Sequence, residues 1–274
     1  MSEKKDVLKK EKEIILQSEK ERFMRWLVIE RNISQRIAEQ YARSVVRVLR
    51  ELDTMTPTMD ECQRYRDDLL MSGRKSGYVL QIVKTIRHYG RFIGTELKVK
   101  YPPKEKQKLP TFLTETELKQ MLFACSSIKE KLVLILMGAC GLRINEVCRL
   151  KISDVNFDTA TMRVPTTKTD SAWEIPVSND VLETIRAYIH HERPTLPNGT
   201  DILLLDRSGK PYNVENCHGI RLMVHRIAKR ANIQKRIYPH ILRHSYATLL
   251  LKNGCPLPYV QRLLRHKDVK STLI

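Results

Sequence analysis

Four short segments of the 274-residue chain set a cation or a proton-transfer group beside a structural anchor. Arg143 follows Gly141-Leu142 at the end of an apolar run, so a guanidinium leaves the core directly. It can bind an anion or pair with Glu146, three residues on. His240 and Arg243, in Tyr-Pro-His-Ile-Leu-Arg-His-Ser, are three apart and share one face of a helix. Lys168 falls near the tip of an expected hairpin, where a polar loop carries it to a ligand or leaves it in solvent. His266, in Leu-Leu-Arg-His-Lys, is by spacing alone an ordinary surface histidine. Guanidinium forks hold oxyanions, and imidazoles move protons near neutral pH.

The elements that must position these groups are mostly helices. Thr114-Glu-Thr-Glu117 is a capping-box pattern that starts a helix, and the apolar run Leu132–Ala139 forms a buried one. Met162 and Val164, then Trp173, Ile175 and Val177, alternate with polar residues as two short strands do. The loop between them is Thr166-Thr-Lys-Thr-Asp-Ser171. From Asn179 the pattern is helical again, with breaks at Arg193–Gly199 and Asp206–Tyr212. Residues 111–274 are therefore expected to form an α-rich domain with a small antiparallel sheet.

Residues 1–100 are expected to form a helical domain, of which 1–13 are a charged extension. Ile33, Ile37, Tyr41, Val45, Val48 and Leu52 mark one apolar stripe, and Tyr78, Ile82, Ile86, Tyr89 and Ile93 mark a second, on a helix at about Gly77–Ile93. Arg36, Arg43, Arg47 and Arg50 line another face of the first helix, and Lys84, Arg87 and Arg91 one of the second. Two basic stripes in one small domain favour contact with DNA. The stretch Lys98–Pro110, with three prolines and five lysines, breaks the periodicity, and 101–110 are taken as the linker.

Lys and Arg number 49 against 31 Asp and Glu, a formal charge of +18. The surplus is +8 over residues 1–106 and +10 over 107–274, so no single basic tail carries it. A polyanion gripped from two sides explains that division. The longest apolar run is far short of the roughly 20 residues that cross a bilayer. The first residues lack a secretory pattern, and six cysteines without a C-x-x-C pair indicate neither a disulfide framework nor a zinc ribbon. A reduced, cytoplasmic, nucleoid-associated protein without membrane contact is expected.

Taken together, the segments resemble the tyrosine recombinase (phage integrase) family, particularly its two-domain Xer-like members. The matching features are Gly141-Leu-Arg-Ile-Asn-Glu, the hairpin lysine before Glu-Ile-Pro-Val, Pro239-His-Ile-Leu-Arg-His-Ser-Tyr-Ala-Thr and Leu264-Arg-His, in order, across roughly residues 20–274. The resemblance implies a mainly α fold: a helical core-binding (SAM-like) domain and an α-rich catalytic domain with a small antiparallel sheet, closing around duplex DNA as a C. It implies that Arg143, Lys168, His240, Arg243 and His266 surround the scissile phosphate, with His244 structural. Attack by a tyrosine builds charge on the non-bridging oxygens, which two guanidiniums stabilise. In that scheme His240 takes the phenolic proton, Lys168 protonates the departing 5′-oxygen and His266 donates a hydrogen bond to the phosphate. The 3′-phosphotyrosyl link conserves the bond energy, so resealing needs neither metal nor cofactor.

The implied activity is site-specific DNA recombination by a homo-tetramer, or a hetero-tetramer with a second recombinase, on two double-stranded DNA sites. Type IB topoisomerase-like strand passage and a cleavage-dead DNA-binding relative are the alternatives. Two departures stand out. Arg265 occupies a position where the family has glycine, and the family's nucleophile falls one position past Ile274. The ten tyrosines lie elsewhere, so the expectation is a catalytic domain truncated at its C-terminus, which binds DNA without cleaving it.

Overall fold

Helix formation follows from apolar residues recurring every three or four positions, because those positions stack on one side of an α-helix. In the computed structural model, residues 2–104, 111–165, 173–195, 199–214 and 217–265 are described, with backbone alone at 2–6, 8 and 9. They belong to two compact units, residues 1–107 and 108–274. The fold is mainly helical, with one small antiparallel sheet.

The first unit holds α1 (Ser2–Ile29), α2 (Gln35–Leu52), α3 (Met59–Met71) and α4 (Ser76–Phe92). The supposed N-terminal extension is part of α1, and its Lys12 and Glu13 pair with Asp53 and Arg50 at the end of α2. The buried face of α2 is also turned from the expected stripe. Ala38, Ala42, Val45, Val46, Val48 and Leu49 face inward, whereas Ile37 is 41% exposed. Small alanines let α1 approach closely, and that approach decides which side is core. On α4, Val79, Ile82, Val83, Ile86 and Tyr89 are buried, while Tyr78 and Ile93 are only half-buried.

Tyr89 joins three elements. Its ring meets Phe23 of α1 edge-on at 5.4 Å, and its hydroxyl lies 2.9 Å from Glu19 Oε1 and 2.8 Å from the Met55 carbonyl. The chain after α4 stays with this unit longer than its composition suggests. Leu97 and Val99 are buried, and the carbonyls of Lys100 and Tyr101 accept from Arg66.

The second unit comprises α5 (Glu115–Phe123), α6 (Ile128–Gly138), α7 (Ile144–Arg149), β1 (Val155–Asn156), β2 (Thr161–Val164), β3 (Trp173–Pro176), α8 (Asn179–His191), α9 (His218–Arg230), α10 (Pro239–Lys252) and α11 (Leu257–Leu263). The capping box at α5 forms as expected: the Glu117 N–H donates to Thr114 Oγ1, and the Thr114 N–H donates to the Glu117 carboxylate at 2.7 Å. Helix α6 is apolar on several sides because it is the pillar of the unit, packed against α5, α7, α8, α9 and α10. The sheet runs β1-β2-β3, antiparallel, with Val155 opposite Met162 and Met162 opposite Ile175. Two residues are too short to show alternation, which is why β1 has no sequence signal. Trp173, expected inside, is 40% exposed at the end of β3. The hairpin residues between β2 and β3 lie outside the described residues.

The Tyr89 hydroxyl tests this packing. Tyr89→Phe keeps the ring and strips a buried carboxylate and a carbonyl of their shared donor, a loss of about 1–3 kcal/mol. The expected outcome is faster hydrogen exchange of α1 and α4 amides, with the second unit's amides unaffected.

Candidate active site

The site begins where α6 must stop. The Leu142 N–H donates to the Leu136 carbonyl at 2.9 Å, and Gly141 takes φ +64°, a left-handed turn. A Cβ on Gly141 would lie 2.6 Å from the Tyr246 ring, so glycine is required by the backbone and by the packing alike. This turn delivers Arg143 to the head of α7. Glu146, in the first turn, accepts the Arg143 backbone N–H at 2.7 Å and its Nη1 at 2.8 Å. Of the two partners open to Arg143 by sequence, Glu146 is engaged. Even so, the Arg143 side chain stays 39% exposed, while that of Glu146 is 7% exposed.

Helix α10 brings the second arginine. Pro239 opens it, and the buried Ser245 ties it down, accepting the Leu113 N–H at 2.7 Å and donating to the Ile241 carbonyl. Arg243 is 7% exposed, donates to the carbonyls of Gly141 and Leu264, and lies 3.8 Å from Glu146 Oε2. Burial, then the charges of Arg143 and Arg265, push its pKa down to about 9, with Glu146 opposing. It is still a cation at neutral pH.

His240 stands one turn before Arg243, on the exposed part of α10. Partial desolvation, then His244, Arg243, Arg221 and Arg143, hold its pKa below the ordinary histidine value. The imidazole is therefore neutral at pH 7 and can accept a proton. His244 is half-buried and shifted the same way by burial and by Arg243.

Sequence reasoning missed two cations here. Arg265, noted only as a departure from glycine, is a third guanidinium on Glu146, with Nη2 2.6 Å from Oε2. Arg221 of α9 adds to the field at His240. Neither has a spacing signal, since both reach the site from other elements. Arg143, His240 and Arg243 come together; Lys168 and His266 lie outside the described residues. Among the described residues, no three His, Cys, Asp or Glu side chains gather as metal ligands. No helix among them is long and apolar enough to cross a membrane.

In the first unit, the seven basic candidates separate into two groups. Arg50 is bound to Glu13 at 2.9 Å; Arg87 donates twice to the Val99 carbonyl and lies 4.1 Å over the Tyr101 ring. Arg47 donates to the Tyr78 hydroxyl at 2.8 Å, and Arg43 is 3.8 Å from Glu39. Arg36, Lys84 and Arg91 have no hydrogen-bond or ion-pair partner among the described residues. Lys84 and Arg91, with Arg31 from the α1–α2 loop, raise the positive field at His88, which burial and these charges hold below the ordinary histidine pKa.

Residues 111–274 match the phage integrase family. The chain is 30% identical over 207 residues to tyrosine recombinase XerA of Pyrococcus horikoshii, covering 73% of this chain and 70% of that protein. It is 29% identical over 275 residues to tyrosine recombinase XerD of Staphylococcus haemolyticus, covering 92% and 91%. A lambda integrase dimer bound to a COC′ core site shares the fold, with a TM-score of 0.73 at 20% identity over 93% of this chain and 96% of that one. The chain therefore belongs to the phage integrase family, the tyrosine recombinases that break and rejoin DNA, and is similar to its Xer members.

Proposed function

We propose that this protein is a site-specific recombinase that acts on double-stranded DNA in the cytoplasm, at the nucleoid, with Arg143, Arg243 and His240 as the core of its phosphate site. The observation that carries this reading is the convergence of Arg143 and Arg243 on Glu146, with a neutral, exposed His240 one turn away. In the reaction, a tyrosine oxygen bonds to phosphorus as the bond to the 5′-oxygen breaks. His240 takes the phenolic proton, and Lys168 supplies the proton for the departing oxygen. Arg143 meets a non-bridging oxygen with its exposed edge; Arg243 lends its charge from behind, and His266 donates a further hydrogen bond. Four protomers on two sites would exchange strands in pairs. Xer relatives of 29–30% identity and a DNA-bound structural neighbour support the DNA partner.

Of the seven basic candidates in the first unit, Arg36, Lys84 and Arg91 have no partner among the described residues and would meet DNA phosphates, whereas Arg50 and Arg87 are committed elsewhere. Neutralising the first three should flatten the dependence of log affinity on log salt by about 0.9 for each phosphate that no longer has a cation. Arg50→Gln and Arg87→Gln should leave that slope nearly unchanged. Titrating a duplex at several salt concentrations separates the two groups, and equal slopes for all variants would remove the assignment.

Catalysis is tested by following the cleavage of suicide duplexes. Arg143→Ala should cut the cleavage rate by roughly 10²–10³-fold, the scale for losing a preorganised charge donor, with duplex affinity nearly intact. Equal losses in both would make Arg143 an anchor only.

Since the His240 pKa lies below the usual value of about 6.5, the cleavage rate should hold as pH falls toward 6.5 and decline only below it. His240→Gln should remove that acid limb. A limb that persists in the variant belongs to another group.

A further inference from the structure

Arg265 sits in two unfavourable conditions at once. Its φ is +53°, a left-handed conformation that suits glycine, and its side chain is only 3% exposed, where an unpaired charge is strongly disfavoured. Either condition alone favours a small or apolar residue. What the guanidinium does there therefore has to be electrostatic.

Its contacts are few. Nη2 lies 2.6 Å from Glu146 Oε2 and 3.4 Å from the Gly141 carbonyl, Nη1 donates to the Leu263 carbonyl at 3.2 Å, and Nε is buried without a partner among the described residues. The two Glu146 oxygens are thereby divided. Oε1 takes Arg143 Nη1, and Oε2 takes the Arg143 backbone N–H and Arg265 Nη2, with Arg243 at 3.8 Å. Without Arg265 the carboxylate would direct its whole charge at Arg143 and Arg243, and a phosphate would have to compete with it for both. With Arg265, three guanidiniums face one carboxylate, a surplus of two positive charges in the cluster whose exposed member is Arg143. Desolvation lowers the Arg265 pKa against the pull of Glu146, and Arg143 acts in the same sense as the burial.

We infer that Arg265 is a positioning residue for phosphate: it shares Glu146 through Oε2, so that less of the carboxylate's charge is spent on Arg143 and the exposed edge of Arg143 is left to a phosphodiester. The inference rests on the reading of Arg143 as the group that meets the phosphate, and it assigns to position 265 an electrostatic part that glycine cannot play.

The probe is inorganic phosphate, titrated into the chain against chloride at constant ionic strength, with binding followed by side-chain arginine NMR. Arg265→Met should raise the phosphate dissociation constant about tenfold, the loss of one charge-assisted contribution, and Arg265→Lys should stay within about threefold of the unsubstituted chain. Arg265→Gly, which relieves the left-handed turn, should weaken phosphate as much as Arg265→Met while losing less thermal stability. A merely structural arginine would lower the melting temperature and leave the dissociation constant unchanged, which would overturn the inference. Arg143→Ala separates this from failure of the underlying reading. If Arg143→Ala abolishes phosphate binding while Arg265→Met binds normally, position 265 is misassigned and the site stands; if Arg143→Ala binds normally, the site itself falls. Should the methionine variant fail to fold, the unsubstituted chain still decides. The Arg265 Nε–H resonance should shift with phosphate along the same curve as Arg143, and a stationary signal refutes the proposal.

Discussion

The buried carboxylate of Glu146 is the interaction on which the second unit's chemistry depends. A carboxylate with 7% exposure needs charge and hydrogen bonds around it, and here it collects them from three places in the chain. Arg143 arrives from the turn after α6, Arg243 from α10, and Arg265 from the turn after α11. Because the cations outnumber the carboxylate three to one, the cluster is held together by attraction to Glu146 yet keeps an excess of positive charge. That excess is what an oxyanion can use. Truncating Glu146 would leave two buried guanidiniums facing each other, so the residue that lowers the site's charge is also what makes its assembly possible.

The scaffold serves this cluster by controlling backbone. Gly141 turns left-handed against the Tyr246 ring, which frees its carbonyl to accept from Arg243. Ser245 fastens α10 to the chain entering α5, and the apolar pillar α6 fixes where that turn begins. The exposed group of the three, Arg143, is therefore backed by two that are not. Charge behind an exposed guanidinium, in a poorly hydrated setting, is worth more than the same charge in solvent.

In the first unit the same residue type has two uses. Arg50 and Arg87 spend their N–H groups on Glu13 and on the Val99 carbonyl, fastening the first half of α1 and the segment after α4. Among the described residues, Arg36, Lys84 and Arg91 keep theirs. A basic face on a helix is thus partly structure and partly available charge, and the partition follows from what lies across from each side chain.

Local spacing carried much of this in the sequence itself. The capping box at Thr114, the pairing of strands β2 and β3, the shared helix face of His240 and Arg243, and the reach from Arg143 to Glu146 are all fixed within a few residues by helix and strand geometry. The family's order of motifs was legible for the same reason, since each motif is local. Tertiary structure decided the rest. Glu13 meets Arg50 across 37 residues, Glu146 meets Arg265 across 119, and α2 turns its alanines rather than Ile37 to the core because α1 must come close. No periodicity encodes such meetings. They depend on where the left-handed turn at Gly141 sends the chain and on which neighbour a long side chain finds when it arrives.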